Sequence, residues 1–117
     1  MNDANETNKE MNIEEIGELL DSFQIKRIDK RNHGGGGTWV MGTIGGHKFE
    51  ALVFAEHAEC ESYELDKSKI SKLWLQKIGE PKPAAHFDRG WDVRPTTKIA
   101  QIIVESLCES MAETVFE

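Results

Sequence analysis

The side chains with which this chain could do acid–base or metal chemistry first cluster at His57-Ala58-Glu59-Cys60. A histidine followed two residues later by glutamate is the first half of the zinc deaminase pattern. There the imidazole binds the metal and the carboxylate shuttles the proton. The second half, Pro-Cys-x-x-Cys, is missing, and Cys108 stands alone. His57-x-x-Cys60 offers two zinc ligands, where a catalytic site takes three and a structural site four. His33, His47 and His86 could join them only by distant folding. Residues 34–37 are all glycine, but no Gly-Lys-Ser/Thr follows, so the run is not a phosphate loop. Ser62, Ser68 and Ser71 lack a nearby histidine–acid arrangement. The chain reads as non-enzymatic, with no cofactor and no metal.

Three groups of residues read instead as surfaces for a partner. The first is His86-Phe87-Asp88-Arg89-Gly90-Trp91-Asp92. Asp-Arg-Gly is turn-like, so this is either a corner stapled by a buried Trp91 or a patch in which Arg89 and Trp91 meet a partner. The second is a basic set in the predicted strands, with Trp39 or Trp74 as stacking surfaces and Lys48, Lys69, Lys72 and Lys77 near phosphates. The third is Glu105, Glu109 and Glu113, spaced by four on a predicted helix, where they form a negative ridge.

The elements that must position these groups can be read from pattern. Thr38 to Ile44 and His47 to Val53 alternate apolar and polar residues around Gly45-Gly46. A two-residue hairpin turn needs positive φ at both central positions, which glycine supplies without steric cost. Pairing across it puts Ile44 opposite His47, Gly42 opposite Phe49, Val40 opposite Ala51 and Thr38 opposite Val53, a face for the core. Thr43 with Lys48, Met41 with Glu50 and Trp39 with Leu52 take the other face. A slip of one residue would exchange the faces, so the register is firm.

Asn12 followed by Glu15 predicts a capping box and a helix over about 12–22, with Ile13, Ile16, Leu19, Leu20 and Phe23 at helical spacing. Gln24 to Lys30 is read as a strand with Ile25 and Ile28 as its apolar members. Arg31 to Gly37 is read as a flexible loop and Ala55 to Lys67 as an acidic loop. Ser68 to Ile78 is a further strand, broken by Gly79-Glu80-Pro81-Lys82-Pro83, and Ala84 to Val93 is a last extended segment. A helix capped by Thr96 or Thr97 follows, with Ile99, Ile102, Ile103, Leu107, Met111 and Val115 on its apolar face. The fold class is therefore α+β: a small antiparallel sheet of three to five strands, with an N-terminal and a C-terminal helix packed on one face. Residues 1–11 read as a disordered acidic leader and 12–117 as a single α+β domain.

Charge is unevenly spread over the 117 residues, whose formal net is −7. Residues 1–22 hold seven acids and one base, and 99–117 hold four acids and no base. Residues 23–54 hold five bases to two acids, and 67–78 hold four lysines and no acid. Acidic helices over a mildly basic sheet point to a protein partner with a basic surface. The alternative is nucleic acid on the basic, tryptophan-bearing sheet face. No apolar run approaches the roughly 20 residues that span a bilayer. The N-terminus carries no secretory pattern, so both cysteines are expected reduced and the protein cytoplasmic. Oligomeric state is not readable.

Three blocks carry a resemblance: Trp39-x-x-Gly42-x-Ile44-Gly45-x-x-x-Phe49-x-Ala51-x-Val53-Phe54, then Ile70-Ser71-Lys72-Leu73, then Asp88-Arg89-Gly90-Trp91-Asp92. In this order they resemble a small uncharacterised family, a domain of unknown function, of phage and bacterial mobile-element proteins. The resemblance covers about residues 38–95. It implies a small accessory protein and brings no catalytic residue with it.

Overall fold

Asn12 starts the first helix as the pattern requires. Its side chain accepts the Glu15 amide at 2.8 Å, and the Glu15 carboxylate accepts the Asn12 amide at 3.1 Å. The computed structural model describes residues 11–31 and 36–116, and this first helix, α1, spans Ile13–Asp21. Of its apolar residues only Leu19 is buried; Ile13 and Leu20 are exposed. Ser22 ties the helix end to the hairpin. Its hydroxyl donates to the Leu19 carbonyl and accepts the Gly45 amide at 2.7 Å.

Six strands follow in an antiparallel sheet whose spatial order is the chain order: β1 (Gln24–Lys30), β2 (Thr38–Ile44), β3 (His47–Val53), β4 (Ile70–Lys77), β5 (Ala85–Asp88) and β6 (Trp91–Val93). The predicted hairpin register holds at every pair, from Ile44 opposite His47 to Thr38 opposite Val53. Gly45 and Gly46 turn at φ +56° and +73°. Gly42 answers a steric need: a Cβ there would lie 2.1 Å from the Gln24 carbonyl oxygen and 2.9 Å from the Phe49 ring.

The sheet corrects the expected three to five strands to six. Ala84 to Val93 is not one strand, because Arg89 and Gly90 reverse the chain and pair Phe87 with Trp91. The amide of Asp88 closes that turn on the Gly90 carbonyl at 2.9 Å. Trp91 is half-buried rather than fully buried. It packs edge-on against Phe87 at 5.4 Å, and the Arg94 guanidinium lies over its ring at 5.7 Å. Its removal therefore costs less than a core tryptophan would. Trp91→Ala is expected to lower unfolding free energy by about 2 kcal/mol, below the full-burial range, and urea denaturation measures it.

The last helix, α2, spans Lys98–Phe116, with Thr97 accepting the Ala100 amide at 3.2 Å. Ala100, Ile103, Val104, Leu107 and Met111 are buried on it and join Val40, Phe49, Ala51, Leu73 and Leu75 in one core. Met11 is half-buried against the same core. The rest of the expected leader, and residues 32–35 of the expected flexible loop, lie outside the described residues. No helix among the described residues is long and apolar enough to cross a membrane.

His47 is 2% exposed beside the turn, with Nδ1–H donating to the Gly45 carbonyl at 2.8 Å. Burial lowers its pKa from the usual 6.5; the Gly45 bond opposes this and Lys77 adds to it. The unfolded chain therefore takes up this proton at a higher pH than the folded chain. Stability is full above about 6.5 and falls as pH drops below it, levelling beneath the folded value. A thermal melt series from about pH 7.5 to 5 should show this slope in the native chain and not in His47→Gln.

Candidate functional site

A meander of nearest neighbours brings the ends of the odd strands and the starts of the even strands to one end of the sheet. Lys30 closes β1, Thr38 opens β2, Phe54 follows β3, Lys69 precedes β4, and Arg89 follows β5. A bulge sharpens this corner. Leu52 pairs with Lys72 but Val53 pairs with Ile70, so Ser71 is the extra residue in β4. Such a bulge re-aims the flanking side chains. Ile70 and Leu73 both go to the core, while Lys72 stays on the other face. The Ser71 carbonyl accepts the Arg89 amide at 3.0 Å, which locks the β5–β6 turn to the bulge.

The result is a cavity of about 760 Å³. Lys30, Arg31, Lys69, Lys72 and Arg89 line it, with Phe54, Tyr63, Phe116 and the residue pair His57 and Glu64. Lys72 and Arg89 share Asp88, at 3.8 and 4.0 Å. The Arg89 guanidinium also lies 5.6 Å over the Tyr63 ring, a cation–π contact that fixes its direction. Arg89 holds φ +54° and Lys69 φ +69°, left-handed conformations that are uncommon outside glycine.

Glu64 organises the wall between β3 and β4. Its side chain is 4% exposed, with Oε2 2.6 Å from His57 Nδ1 and Oε1 accepting the Ala58 amide at 2.6 Å. Burial works to raise its pKa. The bonds from the Ala58 amide, His57 and the Lys69 amide outweigh burial and hold the carboxyl below its usual value. An ionised carboxylate accepts only, so Nδ1 of His57 carries the proton. The His57 side chain is 59% exposed. Among the described residues no three histidine, cysteine or acidic side chains gather as metal ligands would, His57 and Cys60 included.

The face that continues from this cavity carries Trp39, Met41 and Trp74, all half-buried, with Glu50 between Met41 and Trp74. The predicted site residues therefore separate. Lys72 and Arg89 meet in the cavity, and Trp74 lies two residues from Lys72 along β4. Trp91 does not join Arg89; it lines a smaller cleft of about 470 Å³ with Arg94, Glu105 and Cys108. Burial pushes the Cys108 thiol up to about 11 there. Glu109 and Glu113 are exposed along α2 with Glu105. Lys30 and the His57–Glu64 pair were missed by sequence reasoning. The signal for Lys30 is that it ends a strand at the same end of the sheet as Lys69 and Arg89.

The sequence pattern of a domain of unknown function, DUF7678, matches residues 38–112. The chain belongs to this family. The DUF7678 match takes in His57, Glu64, Lys69, Lys72 and Arg89, and it leaves β1 with Lys30, and Phe116, outside. All three sequence blocks of the resemblance fall within it. No curated protein and no solved structure matches the chain.

Proposed function

We propose that this domain binds single-stranded nucleic acid, with phosphates in the cationic cavity and bases against the aromatic side chains beside it. The observation that carries this reading is the convergence of Lys30, Lys69, Lys72 and Arg89 on one cavity. They come from three separate segments of a chain whose net charge is −7. A single phosphate needs no such width. With strands about 4.8 Å apart, the row from β1 to the turn after β5 spans roughly 19 Å. At about 3.4 Å per phosphate along a stacked strand, that is room for several. Trp39 and Trp74 offer half-exposed rings next to the row, and stacking tolerates any base. Glu50 keeps phosphate off the middle of the face and so favours a backbone path along the Lys72 row.

Anisotropy of a labelled, unstructured oligonucleotide tests the reading. Four phosphate contacts give a slope of about −3 in log affinity against log salt. Absence of binding at about 0.05 M salt, or binding that ignores salt, would overturn it.

A second reading rests on α2, where Glu105, Glu109 and Glu113 are all exposed one turn apart. That ridge suits a partner protein with a basic surface. Of α2 only Phe116 lines the cavity, so the ridge and the cavity can be tested separately.

A further inference from the structure

We infer that His57, held by Glu64, is a general base for the cleavage of RNA bound in the same cavity. The inference rests on the nucleic-acid reading and goes beyond it. It departs from the sequence expectation of a non-enzymatic chain.

The geometry has the parts of a carboxylate–imidazole pair. Glu64 is buried, and its two oxygens are fixed 2.6 Å from His57 Nδ1 and 2.6 Å from the Ala58 amide. A carboxylate on Nδ1–H sets the tautomer, orients the ring and stabilises the imidazolium that forms when the other nitrogen takes a proton. In the neutral imidazole with its proton on Nδ1, the other nitrogen, Nε2, is the acceptor. His57 lines the cavity together with Lys69, Lys72 and Arg89. Cations there oppose the negative charge that grows on a phosphodiester under attack.

The chemistry of RNA supplies the rest. Its 2′-hydroxyl is a built-in nucleophile beside the phosphorus, so the protein need only move protons and stabilise charge. Nε2 of His57 takes the 2′-hydroxyl proton, and the 2′-oxygen bonds to phosphorus. The bond from phosphorus to the 5′-oxygen breaks, and that oxygen takes a proton from the ammonium of Lys69 or Lys72. The lysine then recovers a proton from water, and the imidazolium returns its own to water. The products are a 2′,3′-cyclic phosphate end and a 5′-hydroxyl end. No water is consumed and nothing is oxidised or reduced.

The test uses three oligonucleotides of one sequence: RNA, RNA with 2′-O-methyl groups throughout, and DNA. The native protein should bind all three, cleave only the RNA, and leave 2′,3′-cyclic phosphate ends visible by mass spectrometry. His57→Gln, at an exposed position, should keep its circular dichroism spectrum, and it is assayed at saturating RNA. Its cleavage rate should fall at least about 100-fold, the usual range for a lost general base. Binding without cleavage by the native protein overturns the catalytic inference and leaves the binding reading intact. Equal cleavage by His57→Gln, or cleavage of DNA, also overturns it. Failure to bind even the 2′-O-methyl strand overturns both.

Discussion

Charge reversal at Lys72 and Arg89 together is expected to weaken oligonucleotide binding by more than about 100-fold. In the proposed complex each side chain would supply a charge-assisted contact to phosphate, and such contacts contribute roughly 1.5–3 kcal/mol apiece. Two of them exceed the roughly 2.7 kcal/mol that a hundredfold represents, before the added repulsion is counted. The fold should survive. Both side chains are partly exposed, and their shared partner Asp88 is 46% exposed. Lys72→Glu sets like charges opposite Asp88, a cost of at most about 1 kcal/mol. Anisotropy at about 0.1 M salt, with a thermal melt as control, reads both effects. Neutralising Glu105, Glu109 and Glu113 should leave affinity unchanged or raise it slightly. The reverse pattern, with the glutamates decisive and Lys72 and Arg89 indifferent, would move the interaction to α2.

Phe49→Ala is expected to lower unfolding free energy by about 3–5 kcal/mol, the range for deleting a core aromatic. Phe49 is 1% exposed, stacks on Phe23 with ring centroids 5.7 Å apart, and covers Gly42 on the neighbouring strand. The site cannot collapse to fill the space. Gly42 has no side chain to move in, and its backbone is already in close approach to Gln24. A domain of this kind has about 5–15 kcal/mol in total, so the variant should sit near its unfolding threshold at 37 °C. A loss under about 1.5 kcal/mol in urea denaturation would mean that the ring is not wedged between these strands.

The hairpin was legible because a two-residue glycine turn leaves a single register consistent with the apolar pattern. Asn12 and Thr97 were legible because a cap is a local bond. The sixth strand was not. Asp-Arg-Gly is compatible with a corner or with a hairpin turn, and only the pairing of Phe87 with Trp91 decides between them. Of the two readings of that turn, the patch set Trp91 and Arg89 side by side. Arg89 goes to the β4 bulge side and Trp91 back onto Phe87, because the turn between them sends the two to different clefts. The cavity was invisible for a related reason. Its cations stand at residues 30, 31, 69, 72 and 89, and no spacing in the chain joins them all. The strand order and the extra residue at Ser71 do. His57 and Glu64 are seven residues apart across a loop with no period to read.

A sheet whose every strand pairs with its predecessor in the chain is cheap to assemble in time. All but one of the zippering steps close a short loop, which is the condition for fast folding. Residues 38–53 can pair early, around a loop of only two residues, Gly45 and Gly46. The longest delay falls on the segment between β3 and β4, whose ends are clasped by the bonds from the Phe54 amide to Lys69 and from the Leu65 amide to Ile70. The cationic row draws on β1, β4 and the β5–β6 turn, so it exists only once the last pairing is made. A polyanion that fits this row therefore recognises the finished chain alone. By mass action it would stabilise that state by RT ln(1 + [L]/Kd).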